Sequence, residues 1–265
     1  MLKKLVFTLL LIASTTLQAA TPLRLATTTS TENSGLLAEL LPRFTEETGI
    51  PVHVIAVGTG KALRLGRDGD VDVVLVHAPA AEQAFVEAGY GEQRYPVMYN
   101  DFVIVGPAGD PAGVGAARDA ADALRRIADK GSLFVSRGDN SGTHKKELAL
   151  WKQAGIEPEG SWYREVGQGM GKVLQMADQL QAYTLTDRGT WLAYTGRLDL
   201  EIAHQGDPSL YNPYGIIAVS RERYPDINHA AATRLIEWIT DPQRGQKLIG
   251  DFRLKGKQLF VPDAK

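Results

Sequence analysis

Apolar and polar positions along the chain follow two patterns: short apolar runs, and longer segments that are apolar along one side only. The first is the pattern of strands and the second that of amphipathic helices, so the chain reads as α/β, a sheet covered by helices. Residues 23–26 form a first strand. Between residues 35 and 48, Leu36, Leu37, Leu40, Leu41 and Phe44 recur at helical spacing, and the stripe ends at Gly49 with Pro51 beyond, a helix stop. Residues 52–57 are a second strand, and a short helix follows Gly58-Thr59-Gly60. Residues 71–76 are a β-branched run suited to a central parallel strand buried on both faces. Three strands and two helices make a βαβαβ unit.

The pattern changes at residues 99–105, which lead into the Gly/Pro-rich turn at residues 106–111, the composition found where a chain passes between domains. A second set of elements follows: a helix over 116–130, a strand over 133–136, a helix after Ser141, a strand near 163–166, a helix after Gly169 and strand material near 182–186. Tyr211-Asn212 then repeats the earlier Tyr99-Asn100 pair at the head of another apolar run to Val219. Two antiparallel hinge strands would therefore join two lobes, one of residues 21–107 with 208–265 and the other of residues 108–207. Helices over 227–240 and 242–252 would pack back on the first lobe.

Composition narrows the class. With 44% hydrophobic and 23% charged residues the chain is ordinary globular material, and 29 basic against 31 acidic residues give no global reason to bind nucleic acid or an anionic membrane. Any anion site must be local. The absence of cysteine excludes disulfides, thiolate metal sites and cysteine nucleophiles. At the N-terminus, Lys3 and Lys4 precede an apolar run over 5–13, a small polar stretch and Ala19-Ala20, the layout of a signal peptide over residues 1–20. A transmembrane anchor needs about 20 apolar residues, and this run breaks at Ser14-Thr15-Thr16. The expected address is the periplasm.

Three polar, glycine-bearing or hydroxyl-rich segments fall where a strand ends and a helix begins: residues 27–34, 58–61 and 137–144. Helix N-termini present unpaired N–H groups and a partial positive charge, and glycine lets backbone approach a ligand. Hydroxyls from Thr28, Ser30, Ser141 and Thr143 and the guanidinium of Arg137 add donors suited to a small tetrahedral oxyanion. Thr59 joins them on the loop argument alone. Ordinary N-capping accounts for each segment singly; three in phase with strand ends, spread over two lobes, favour a shared cleft.

Residues 25–31 (Leu-Ala-Thr-Thr-Thr-Ser-Thr), 73–82 and 136–144 carry a resemblance that extends over nearly the whole chain after residue 20. The sequence resembles the tungstate-binding proteins of ABC importers, in the phosphate-binding-like branch of type II periplasmic binding proteins. That resemblance implies oxyanion contacts at Thr28, Ser30, Arg137 and Thr143, with Ser141 and Gly142 as supporting backbone donors. It also implies a membrane permease with a cytoplasmic ATPase as partner, a monomer, and no cofactor or protein-bound metal cation.

Protonation distinguishes the candidate anions. Phosphate near neutral pH keeps a proton and benefits from a buried acceptor, whereas tungstate, molybdate and sulfate need donors only. Phosphate binders similar to this chain present an Asp after the third strand; here His77-Ala78-Pro79 stands there. His77 either lines the cleft or is a structural histidine satisfied by a nearby carbonyl, and Asp139 is expected to hold Arg137. Nothing in composition or spacing separates tungstate from molybdate; the resemblance favours tungstate. Enzyme readings fail on their motifs. Ser141 lacks the Gly-x-Ser-x-Gly frame, residues 58–61 lack the P-loop's first glycine and its Ser/Thr, and the five histidines form no His-Glu-x-x-His pair. A secreted phosphoryl or sulfuryl ester hydrolase would have neither nucleophile nor metal. The polar stretch 183–190 is expected to be a turn.

Overall fold

The computed structural model describes residues 21–139 and 141–264, so the expected signal peptide lies outside the described residues. The first half runs β1 (Leu23–Thr28), α1 (Thr29–Asn33), α2 (Leu36–Thr48), β2 (Val52–Val57), α3 (Thr59–Asp68), β3 (Val73–Val76), α4 (Pro79–Glu87) and β4 (Gly91–Pro107). There follow α5 (Ala120–Lys130), β5 (Phe134–Ser136), α6 (Gly142–Gln153), β6 (Tyr163–Glu165), α7 (Met170–Leu180), β7 (Thr184–Asp187), α8 (Arg188–Tyr194) and β8 (Leu200–His204). The chain closes with β9 (Tyr211–Val219), α9 (His229–Thr240), α10 (Gly245–Asp251), β10 (Arg253–Leu254), β11 (Lys257–Gln258) and β12 (Val261–Pro262).

The main sheet has the order β12-β4-β9-β3-β1-β2, with β7 and β8 also paired to β4. Strands β1, β2 and β3 are parallel, as helical crossovers require, and β9 runs antiparallel between β3 and β4. Alternation along β1 and β3 explains the layers. Leu23, Leu25, Val73 and Leu75 face a core shared with Leu36, Leu40 and Phe44 of α2 and with Trp238 of α9. Ala26, Val74 and Val76 face the opposite core, built on Ala62 and Phe85. Each fully buried Leu or Phe is worth about 1.5–3 kcal/mol, which is why α2 persists although Pro42 lies inside it.

A second pair of cores lies on the two faces of the far half of β4. Phe102 and Ile104 join α5, Trp151 and Tyr183, while Val103 and Val105 join α7 and Trp191. Strand β4 is thus one continuous element serving both sets: residues 91–101 pair with β9 and residues 102–107 with β7 and β8. The change of partner comes at Asp101/Phe102, ahead of the Gly/Pro turn, because Phe102 is already buried in the second core. On the return, Leu210 still packs with that core and Tyr211 opens β9 opposite Asp101. Leu192 of α8 crosses over and packs in the first set.

Several elements depart from the sequence expectation. The third strand begins at Val73, because Asp72 turns its carboxylate to Arg24 and to the Asn228 N–H. The helix expected over 116–130 begins at Ala120, where Asp119 accepts from the Asp122 N–H at 2.7 Å. The stretch 183–190 is no turn: it is β7 and the start of α8, with Asp187 accepting from the N–H and hydroxyl of Thr190 at the junction. Helix α4 has only a sparse apolar stripe. Its buried Glu82 is held by Arg94 at 2.6 Å. Among the described residues no helix is long and apolar enough to cross a membrane.

Candidate functional site

Each strand of the parallel layer ends at a helix start, and these ends face one place. Thr28 closes β1 and caps α1: its Oγ1 accepts from the Thr31 N–H at 3.2 Å and lies 2.6 Å from Thr31 Oγ1 and 3.1 Å from Ser30 Oγ. Thr28 and Thr31 are buried, and Ser30 is exposed. Gly58 precedes α3 without a side-chain cap, which leaves Thr59 at the head of that helix. In the second set, Ser141 caps α6 through the His144 N–H at 3.3 Å, with Gly142 and a buried Thr143 in the first turn.

Gly142 carries the decisive geometry. A Cβ built there would stand 3.3 Å from His77 Cε1 and 4.0 Å from Thr59 Oγ1. His77 Nε2 in turn lies 3.5 Å from Ser30 Oγ. Ser30, Thr59, His77 and Gly142, from four separate loops and both core sets, therefore meet. Arg137 is tied to the same helix start: its Nε donates to Asp139 Oδ2 at 3.1 Å, and Asp139 Oδ1 accepts from the Ser141 N–H at 3.1 Å. Burial opposes ionisation of Asp139, but hydrogen bonds from Ser141 and Arg137 outweigh it and hold the carboxyl below its ordinary range. The guanidinium is mostly covered, at 19% side-chain exposure, so its charge is screened less than that of a surface arginine.

Behind the loops is a chain of hydrogen bonds that sequence reasoning missed. His77 Nδ1 lies 2.9 Å from Asn212 Oδ1, and Asn212 Nδ2 donates to Asn100 Oδ1 at 2.7 Å and reaches the Tyr214 hydroxyl at 3.4 Å. On the loop side Thr31 bonds to Thr28, Thr28 to Ser30, and Ser30 Oγ lies 3.5 Å from His77 Nε2. Asn100 and Asn212 face each other across β4 and β9, at the point where the two core sets join. The doubled Tyr-Asn was the sequence signal for this pair. One nitrogen of His77 meets a side-chain carbonyl and the other lies 3.5 Å from Ser30 Oγ. Burial pushes its pKa below the ordinary value despite the Asn212 bond and the charge of Asp187.

No carboxylate stands in the place of His77. Among the described residues no cluster of three or more His, Cys, Asp or Glu side chains is set to hold a metal. The model of the PBP superfamily domain matches residues 14–243, a span that includes every site residue above. A tungstate-binding protein TupA of Peptoclostridium acidaminophilum is 51% identical over 251 residues, covering 93% of this chain and 87% of that protein. Among solved structures, the tungstate-binding protein TupA from Desulfovibrio alaskensis G20 is 50% identical, with a TM-score of 0.86 over 92% of this chain and 100% of its own. The chain belongs to the TupA family of the PBP superfamily. A structure described as the tungstate ABC transporter from Geobacter sulfurreducens is a further TupA-like neighbour, 55% identical with a TM-score of 0.79 over 87% of this chain and 98% of that one. The TupA-family fold, a mixed sheet flanked by helices, is the type II binding-protein architecture that the resemblance implied.

Proposed function

We propose that the protein is the substrate-binding component of an ABC importer and takes tungstate between two lobes. The observation that carries this reading is the approach of Gly142 to His77 and Thr59, with Ser30 on the other nitrogen of His77, which brings donor-bearing helix starts of both core sets together. Thr28, Ser30, Thr59, Thr143 and the backbone of Ser141 and Gly142 supply hydrogen bonds, Arg137 supplies the charge, and Asp139 holds Arg137. The lobes divide where β4 changes partners and where β9 begins. Ligand that touches both lobes stabilises the closed state, which a permease can distinguish from the open one. The protein performs no chemistry on its cargo. It acts in the periplasm as a monomer, after loss of residues 1–20, and delivers to a permease powered by a cytoplasmic ATPase.

Calorimetric titration with tungstate, followed by competition with molybdate, sulfate and phosphate, tests the proposal. One-to-one binding that excess sulfate and phosphate do not displace is the expected result. Displacement by molybdate at equal concentration would widen the cargo to both metal oxyanions, and binding of phosphate alone would refute the donor-only argument.

A further inference from the structure

His77 follows β3 and stands where the loops meet. Asn212 spends its Nδ2 on Asn100 Oδ1, so its own Oδ1 faces the ring at 2.9 Å and His77 Nδ1 carries the hydrogen. In a neutral imidazole the other nitrogen is then an acceptor, and that nitrogen is the one facing Ser30 Oγ. The ring also lies against the start of α6, with Cε1 3.3 Å from the Cβ position of Gly142. A fully ionised oxyanion at this junction brings lone pairs only. Lone pair against lone pair in a closed cleft is costly, and the single hydroxyl proton of Ser30 can serve only one of them.

We propose that binding of the dianionic oxyanion is coupled to uptake of one proton from solvent at His77 Nε2, which makes His77 a direct, charged contact of the bound anion. This inference rests on the receptor reading above. The anion arrives with its full charge, one proton leaves the solvent, and the complex holds an imidazolium with Nδ1–H on Asn212 and Nε2–H toward the anion. Without the anion the ring is neutral, since burial lowers its pKa and its contacts with Asn212 and Tyr214 lie within one lobe and persist when the lobes part. The groups facing it leave room for that change. From the β7–α8 junction, Asp187 contributes a negative charge, though its carboxylate already accepts from the Thr190 N–H at 2.8 Å and hydroxyl at 2.6 Å. From β9, Tyr214 lies with ring centroids 4.7 Å apart, its phenol pushed up by burial and so uncharged. Ser30, Thr59 and Gly142 bring no charge, and Arg137, ahead of α6, brings a positive charge that is paired with Asp139 at 3.1 Å. A dianion in contact raises the bound-state pKa above that of the empty site. Affinity is therefore fully present at low pH and falls about tenfold per pH unit between the two values.

The test is a proton inventory on the wild-type protein. Tungstate is titrated calorimetrically between about pH 6.5 and 8.5, where His shifts of this kind are read, in PIPES, HEPES and Tris, whose ionisation enthalpies differ. The expected result is a buffer-dependent enthalpy corresponding to uptake approaching one proton, and an affinity that weakens as pH rises. His77→Gln, which keeps a neutral donor near the Nε2 position, should bind with no proton uptake and a flat pH profile. Binding by the wild-type protein with buffer-independent enthalpy would overturn the role of His77 while leaving the receptor reading intact, as would wild-type uptake in His77→Gln. Failure of tungstate, molybdate and sulfate alike to bind would refute the receptor reading itself and this inference with it.

Discussion

Gly142→Ala probes closure without removing any polar group. The added methyl would lie 3.3 Å from His77 Cε1, short of the 3.5–4.0 Å optimum for carbon contacts by a few tenths of an ångström. The ring cannot simply yield, because Asn212 holds its Nδ1 and Tyr214 packs on its face. Overpacking of this kind costs about 1–3 kcal/mol. It falls on the arrangement in which α6 meets His77, so tungstate binding should weaken by about 5- to 150-fold. With the lobes apart the methyl meets nothing and slightly favours α6, since Ala is a better helix former than Gly. Calorimetry should therefore show the weakened Kd while thermal unfolding of the ligand-free variant stays at or above the wild-type midpoint. A Kd within twofold of wild type, or a drop in unfolding stability as large as the loss in affinity, would refute the reasoning.

Arg137→Ala should cost about 2–5 kcal/mol in tungstate binding, the range for truncating one partner of a covered charge pair, measured by the same titration. Ser30→Ala should cost about 1–3 kcal/mol, the loss of one donor to a charged acceptor, with its unfolding midpoint unchanged. Asp72, 1% exposed, accepts from the backbone and guanidinium of Arg24 and from Asn228, while Arg24 itself is 39% exposed, so Asp72→Ala should lower urea-unfolding stability by about 1–3 kcal/mol. Glu147 is pushed up to about 7 by burial, against hydrogen bonds from Tyr163, Ser136 and Trp151. A carboxyl raised on folding binds more protons when folded, so its contribution is present at low pH and lost as pH rises from its ordinary value through about 7. Glu147→Gln should consequently gain stability relative to wild type between pH 5 and pH 8, as read by urea unfolding at the two values.

Strong periodicity made most of the framework legible. The stripe of α2 and the run of β9 carry their own start and stop signals, and the loops with Thr28 and Arg137 stand out because helix starts need Ser, Thr and glycine. What stayed hidden was settled by contacts distant in sequence. Helix α4 is anchored by a buried Glu82–Arg94 pair, not by an apolar stripe. Asp187 looks like a turn residue until Thr190 satisfies it from the next helix. His77 could be read two ways because its partner, Asn212, comes 135 positions later. The chain of bonds linking it to the hinge strands is a three-dimensional fact with no local signature beyond the doubled Tyr-Asn.

The placement of β9 between β3 and β4 bears on how the chain reaches its native state. As the polypeptide emerges N-terminus first, β3 and the near half of β4 are both made before the strand that must lie between them. Everything from Phe102 to Leu210 comes in the interval, and its contacts are mostly local to that interval. The later-made set can therefore condense first, while the earlier one waits with an unpaired sheet edge, because closing so long a loop delays its pairing. That interval is when an apolar run such as Val73–Val76 is open to wrong partners. The strand that completes the hinge is also the one whose arrival ends that exposure.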